Sequence, residues 1–365
     1  MSITIFSFIA AVLWCNIYII IITLIRKINN FIIYFSYFPI MLLIFACIFR
    51  MICPVDCPYA MVLDSKIILP AIYRPFTMPL LTFSKGIHIH LLGIISIIWI
   101  VRSVYLLLRY ASQSFRFYKV NSITSATQNI QLISCINEIK KEKGLDIEVK
   151  IIQSSAIVIP MVTGFFKPTI YLPSLSFSDS ELKLILQHEL THYLHKDSWI
   201  KMFMCLIVCI FWWNPFVHIL KRDLNHILEI RCDLSLVIQM NEEERIKYLK
   251  IILRIAEAFR RTTCPLIPAD DATGLLEANK QTKLEQRFYL VLRYEKRKRR
   301  HVVLSTLLGG LVALSIIASY MFIIQPSYSI EQYRKENAST ITLENPKLMI
   351  NENSTYALYS NSNIE

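Results

Sequence analysis

Apolar positions along this chain follow two patterns: long uncharged runs of membrane-span length, and shorter stretches with the periods of helix and strand. Four runs approach the roughly 20 apolar residues that a bilayer crossing needs: 3–25, 31–49, 86–108 and 302–324. The third is interrupted by His88, His90 and Arg102, and the fourth carries Gly309 and Gly310, which allow close helix contact. Arg102 is expected to snorkel towards the cytoplasm. The first run is too long for a signal peptide and has neither a basic leader nor a cleavage site, so it is expected to stay as a span. A fifth apolar run, 202–220, contains Asn214-Pro215. Proline disfavours a continuous helix there, so 199–220 is expected to form a helical hairpin that enters or skirts the membrane and returns. Ahead of it, Leu182, Ile185, Leu186 and Leu190 form a helical stripe behind a Ser178/Glu181 capping box. Thr169-Ile170-Tyr171-Leu172 reads as a short strand.

Composition agrees with a membrane protein carrying one modest soluble portion. Of 365 residues 54% are hydrophobic and 18% charged, and the mean hydropathy is +0.45, against roughly 25% charged for a soluble domain. Seven glycines exclude collagen-like, glycine-linker and multi-Rossmann organisation. The net charge of +12 comes from 39 basic against 27 acidic residues. Its clusters abut the apolar runs: Arg26-Lys27, then Arg109, Arg116 and Lys119, then Arg293-Tyr-Glu-Lys-Arg-Lys-Arg-Arg300. With four crossings all three fall on the cytoplasmic side, which places both termini outside and 109–301 inside. The 293–300 cluster lacks the interleaved aromatics and the recognition fold that nucleic-acid contact needs, so it reads as an anchor at an anionic leaflet. Nine cysteines show no zinc-finger spacing; Cys53 and Cys57, in the external loop 50–85, either pair or stay free.

The chemistry lies in Gln187-His188-Glu189-Leu190-Thr191-His192. On a helix, His188 and His192 share a face and reach one metal ion, with Glu189 beside it as general base for a zinc-bound water. Downstream, Glu229 and Asp233 stand four apart on one helical face. They read either as a solvated surface pair or as a third ligand followed by a carboxylate that orients a histidine, the usual gluzincin arrangement. If the 202–220 run crossed the membrane, the histidines and Glu229 would be on opposite sides, so one shared metal site requires the hairpin.

HELTHYLHKD at 188–197, WWNPFVH at 212–218, the Glu229–Asp233 segment, and Pro160-Met-Val-Thr-Gly164 with Lys167-Pro-Thr-Ile-Tyr-Leu-Pro173 together resemble BlaR/MecR-type membrane metallopeptidases. The resemblance covers roughly residues 1–324. It implies a mostly α membrane protein with four transmembrane helices and an inserted cytoplasmic α+β gluzincin-like zinc domain. It also implies Zn2+ held by His188, His192 and Glu229, with Glu189 as base. The function implied is cleavage of the chain itself or of a cytoplasmic DNA-binding repressor, in bacterial antibiotic-resistance signalling. The best-known members carry an external penicillin-binding domain with Ser-x-x-Lys; the tail 325–365 has no such motif, so a separate sensor protein is an open alternative. In metallopeptidases of this type an edge strand binds substrate, which gives Thr169–Leu172 that role or an ordinary sheet edge. His226 is either an oxyanion donor or a surface histidine; His195 and Asp197 close the metal helix. Asn337-Ala-Ser339 and Asn353-Ser-Thr355 match the glycosylation pattern and are discounted in a bacterial family, and the Asn/Ser-rich tail is expected to be flexible. Two rivals remain: a membrane scaffold that binds a repressor without cutting it, and a transporter, which the near absence of paired charge in the spans disfavours.

Overall fold

The computed structural model describes residues 4–55, 57, 60–65, 71, 76, 79–82, 88–123, 129–154, 157–261, 280–294, 302–326, 328–329, 348–350 and 355–358. Lys296–Arg300, Cys264, Asn337 and Asn353 lie outside the described residues. Two compact units emerge: one of Met1–Ile17, Ala46–Val104 and Ala313–Glu365, the other of Tyr18–Phe45 and Tyr105–Val312.

Helix α1 (Ile5–Lys27) takes up the first apolar run. The run 31–49 does not form one helix. Helices α2 (Asn29–Phe35) and α3 (Phe38–Ile52) meet at a bend of 100°. Ser36 ends α2 in the left-handed region at φ 70°. Pro39, at the second position of α3, has no N–H to continue the ladder. Strands β1 (Met61–Ser65), β2 (Pro79–Thr82) and β3 (His88–His90) follow. Helix α4 (Leu91–Ile123) starts later than the apolar run because His88–His90 pairs with β2 instead. Among the described residues α1 and Leu91–Arg116 are long and apolar enough to cross a membrane, and α2 with α3 makes a third if the bent pair is one span.

Helix α5 (Ile130–Glu142) leads into strands β4 (Lys150–Ser154), β5 (Met161–Thr163) and β6 (Thr169–Pro173). The sheet order is β4-β6-β5, with β4 parallel and β5 antiparallel to β6. Thr169–Leu172 is therefore the central strand, not an edge. Ile170, Tyr171 and Leu172 are all buried, and an unbroken apolar run is what a strand covered on both faces carries. The free edges among the described residues belong to β4 and β5. Gly164 closes the β5–β6 connection at φ 103°, where a Cβ would collide with the Lys167 carbonyl.

Helix α6 (Asp179–Leu194) bears the histidines, and the capping box is present: Glu181 N donates to Ser178 Oγ at 3.4 Å and Ser178 N donates to Glu181 Oε2 at 2.8 Å. Ser178→Ala is expected to cost about 1 kcal/mol in thermal or denaturant unfolding. The backbone bond from Ser178 holds the Glu181 carboxyl below its usual range. Its contribution is thus present above about pH 4.3 and fades as pH falls through the lowered folded value. Helix α7 (Asp197–Ile210) starts after Lys196, which turns the chain at φ 58°. The apolar run then breaks at Asn214, whose Oδ1 accepts from Phe216 N at 3.0 Å, and α8 (Pro215–Val237) begins with proline at its first position. Helices α9 (Glu242–Arg261), α10 (Lys280–Leu292) and α11 (Val302–Met321) complete the set. Within α11, Thr306–Met321 is a shorter apolar helix, so four straight spans are not what the described residues present.

Leu132, Ile136 and Ile139 of α5, Ile151 of β4, Ile170 and Leu172 of β6, and Leu182, Leu186 and Leu190 of α6 share one core with Ile251 and Ile255 of α9. This core backs α6 on the side away from its histidines. In the first unit the described residues of the tail form short strands. Strand β7 (Phe322–Pro326) pairs in parallel with β1, and β8 (Tyr328–Ser329), β9 (Leu348–Ile350) and β10 (Thr355–Leu358) form a small sheet. Cys53 and Cys57 are both free thiols.

Candidate metal centre

Two imidazoles and one carboxylate converge where α6 meets α8. His188 and His192 lie one turn apart on α6, and their Nε2 atoms are 3.1 Å apart. The Glu229 carboxylate on α8 completes the group, with Oε2 at 3.6 Å from His188 Nε2 and Oε1 at 3.5 Å from His192 Nε2. Donors tetrahedrally arranged about zinc at roughly 2.05 Å stand about 3.3 Å from one another, so these separations suit one small ion.

The hydrogen bonds behind each ring say which nitrogen faces inward. His192 Nδ1 lies 2.6 Å from Asp197 Oδ2 and donates to it. Tyr248 of α9 donates its hydroxyl to Asp233 Oδ1 at 2.6 Å, so the 2.8 Å contact between that hydroxyl and His188 Nδ1 has the ring as donor. Both Nε2 atoms then face inward, 3.1 Å apart, at a spacing that a shared proton or a shared metal ion would join. Burial pulls the His188 pKa down, but the Glu229 bond and the Asp233 and Glu189 charges outweigh it and hold the value up. The carboxylates that favour positive charge there are of the sign a metal cation needs. The donor set fits zinc.

Asp233 sits on the same face as Glu229, as its spacing implies, yet it reaches His188 through the Tyr248 hydroxyl rather than directly, its Oδ1 being 3.7 Å from Nδ1. Arg287 of α10 holds Asp233 with a two-pronged fork, Nε to Oδ2 at 2.6 Å and Nη2 to Oδ1 at 2.8 Å, and its Nη1 is 3.3 Å from Glu229 Oε2. Burial opposes a charge on Glu229, but His192, His188 and Arg287 outweigh it and keep the carboxyl well below its usual range. Glu189 is 7% exposed and burial raises its pKa.

Asp197 does more than close a helix: it is 2% exposed, bonded to His192 and paired with Arg231. Cys232 Sγ lies 3.2 Å from His192 Nδ1. Cys232, His192 and Asp197 form a second close group of possible donors, which shares His192 with the first. His226 is neither a surface residue nor an available donor. It is 2% exposed, and its Nε2 donates to Gln286 Oε1 at 2.8 Å. Burial pushes its pKa down to about 3, so its Nδ1 is unprotonated and no N–H remains for an oxyanion. Tyr248, Arg287 and the role of Asp197 carry no motif; they come from a different helix or beyond a helix break, and only the fold assembles them.

A family profile described as BlaR1 peptidase M56 matches residues 2–291. The "Regulatory protein BlaR1" of Bacillus licheniformis is 27% identical over 226 residues, 60% of this chain and 38% of that protein. The "Methicillin resistance mecR1 protein" of Staphylococcus aureus (strain Mu50 / ATCC 700699) is 31% identical over 166 residues, 44% of this chain and 28% of that protein. The matched stretch thus spans under two fifths of either relative.

Proposed function

Because the chain belongs to the BlaR1 peptidase M56 family, we propose that it is a membrane-bound zinc metalloendopeptidase in signal transduction, with its active site at the cytoplasmic membrane surface. The observation that carries this is the pair of inward-facing imidazole nitrogens 3.1 Å apart beside Glu229. In this reading His188, His192 and Glu229 hold the ion. Bound there, zinc supplies a Lewis acid for the scissile carbonyl and lowers the pKa of a water. Glu189, raised by burial, takes the proton of the attacking water and delivers it to the leaving amine. Asp197 and the Tyr248–Asp233 pair fix the ring tautomers, which makes the imidazoles better donors. With β6 enclosed, a substrate strand pairs along β5, the free edge that packs on α6.

The layout proposed with it keeps 109–301 cytoplasmic and both termini outside, with the α7–α8 turn dipping into the inner leaflet. The proposed substrate is the chain itself or a cytoplasmic DNA-binding repressor, in regulation of antibiotic resistance, since one relative is named a regulatory protein and the other a methicillin resistance protein. A separate sensor protein is a further proposed partner. The test is metal removal. In detergent, the purified chain is expected to hold about one zinc, to lose proteolytic fragmentation of itself or of an added repressor on chelation, and to regain it when zinc is returned. A folded wild-type chain without zinc would overturn the reading.

A further inference from the structure

The inner end of α1 carries a buried polar cluster that the metal centre does not itself use, all of it within the second compact unit. Arg26, 6% exposed in the last turn of α1, has its Nε 2.9 Å from Oδ1 of Asp223 on α8. Thr23, one turn earlier, donates to the other oxygen of that carboxylate at 2.8 Å. Gln286 on α10 adds a second link: its Nε2 donates to Arg26 O at 2.7 Å and to Asn29 Oδ1 at 2.8 Å, while its Oε1 accepts from His226. A buried ion pair yields little net stability over apolar packing, but it holds geometry, since loss of either partner strands a charge in the interior.

Both links lead to the same place. Asp223, His226, Glu229 and Asp233 follow one side of α8 within three turns. Gln286 immediately precedes Arg287, whose guanidinium grips Asp233 and touches Glu229. The two carboxylates are thus held from α8 and from α10 at once, and each helix is fastened to the same seven residues of chain, Thr23–Asn29. We propose that Arg26, Asp223 and Gln286 are positioning residues for Glu229 and Asp233, coupling the inner end of the first apolar helix to the geometry of the metal centre. The inference rests on the metallopeptidase reading. Displacing α1 along or about its axis pulls Asp223 and Gln286 with it, turns α8 against α6, and moves the Glu229 oxygens relative to the two imidazoles. Shifts on the order of 1 Å suffice to matter at a catalytic centre.

The test uses the full chain in detergent and the double variant Arg26→Gln/Asp223→Asn, which removes both charges together and leaves neither buried alone. Zinc affinity, measured by chelator competition, is expected to fall about 10-fold or more, and the visible bands of the cobalt-loaded chain are expected to shift. Arg26→Lys, which keeps the pair, is expected to restore both. In the metal-free chain, amide exchange should quicken along α8 from 223 through Asp233. A variant that melts earlier yet keeps wild-type zinc affinity and cobalt bands would show a merely structural pair and overturn the proposal. If the wild type takes up no metal, the metallopeptidase reading fails, and the exchange measurement still decides the coupling: unchanged exchange at 226–233 sinks it.

Discussion

Glu189→Gln is expected to reduce peptide cleavage about 1,000-fold, within the range that general-base removal usually costs, while zinc content stays at the wild-type level. The separation of effects follows from position. The three inward donors belong to His188, His192 and Glu229, so the Glu189 carboxylate is not needed to hold an ion. It lies one residue from His188 on a buried helix face, where an amide of the same shape fits but accepts no proton. Fragment yield in a time course, beside metal content of the same preparation, gives the answer. Cleavage retained at the wild-type rate in a zinc-loaded Glu189→Gln chain would sink the assigned mechanism. Loss of zinc together with cleavage would move Glu189 from proton carrier to ligand.

The second large effect is expected at Glu229. Glu229→Gln keeps the volume but removes the charge that the two imidazoles and Arg287 surround. Zinc affinity is expected to drop well beyond the 10–100-fold typical of outer-shell changes, because a direct donor is lost and two histidines alone remain. The Arg287 fork to Asp233 is untouched by this change, so the fold is expected to survive. Full zinc occupancy in Glu229→Gln would show that the ion is held without α8, and the α6–α8 convergence would then need another explanation.

The order of these helices explains which parts were readable beforehand. Ser178 and Glu181 lie three apart, and a capping box is made by residues three apart, so the start of α6 is a local fact. The Asn214-Pro215 break works the same way, one side chain capping and one ring terminating. The bend within 31–49 was equally local, in Ser36 and Pro39, but hydropathy averaged over the run hides it. The central position of β6 was not local: which strand has neighbours on both sides depends on where β4 and β5 land.

The sequence by itself determined the apolar runs, the helix that presents His188 and His192 on one face, and the pairing of Glu229 with Asp233, because each depends on spacing along one element. Tertiary structure decided the rest. It set α8 beside α6 so that Glu229 faces the histidines, gave His192 the Asp197 carboxylate from across a helix break, and reached His188 with a tyrosine 60 residues away. It also turned His226 from a candidate donor into a buried bracket. Ring tautomers and carboxylate orientation depend on what stands behind each side chain, and that is a property of packing between elements distant in the chain.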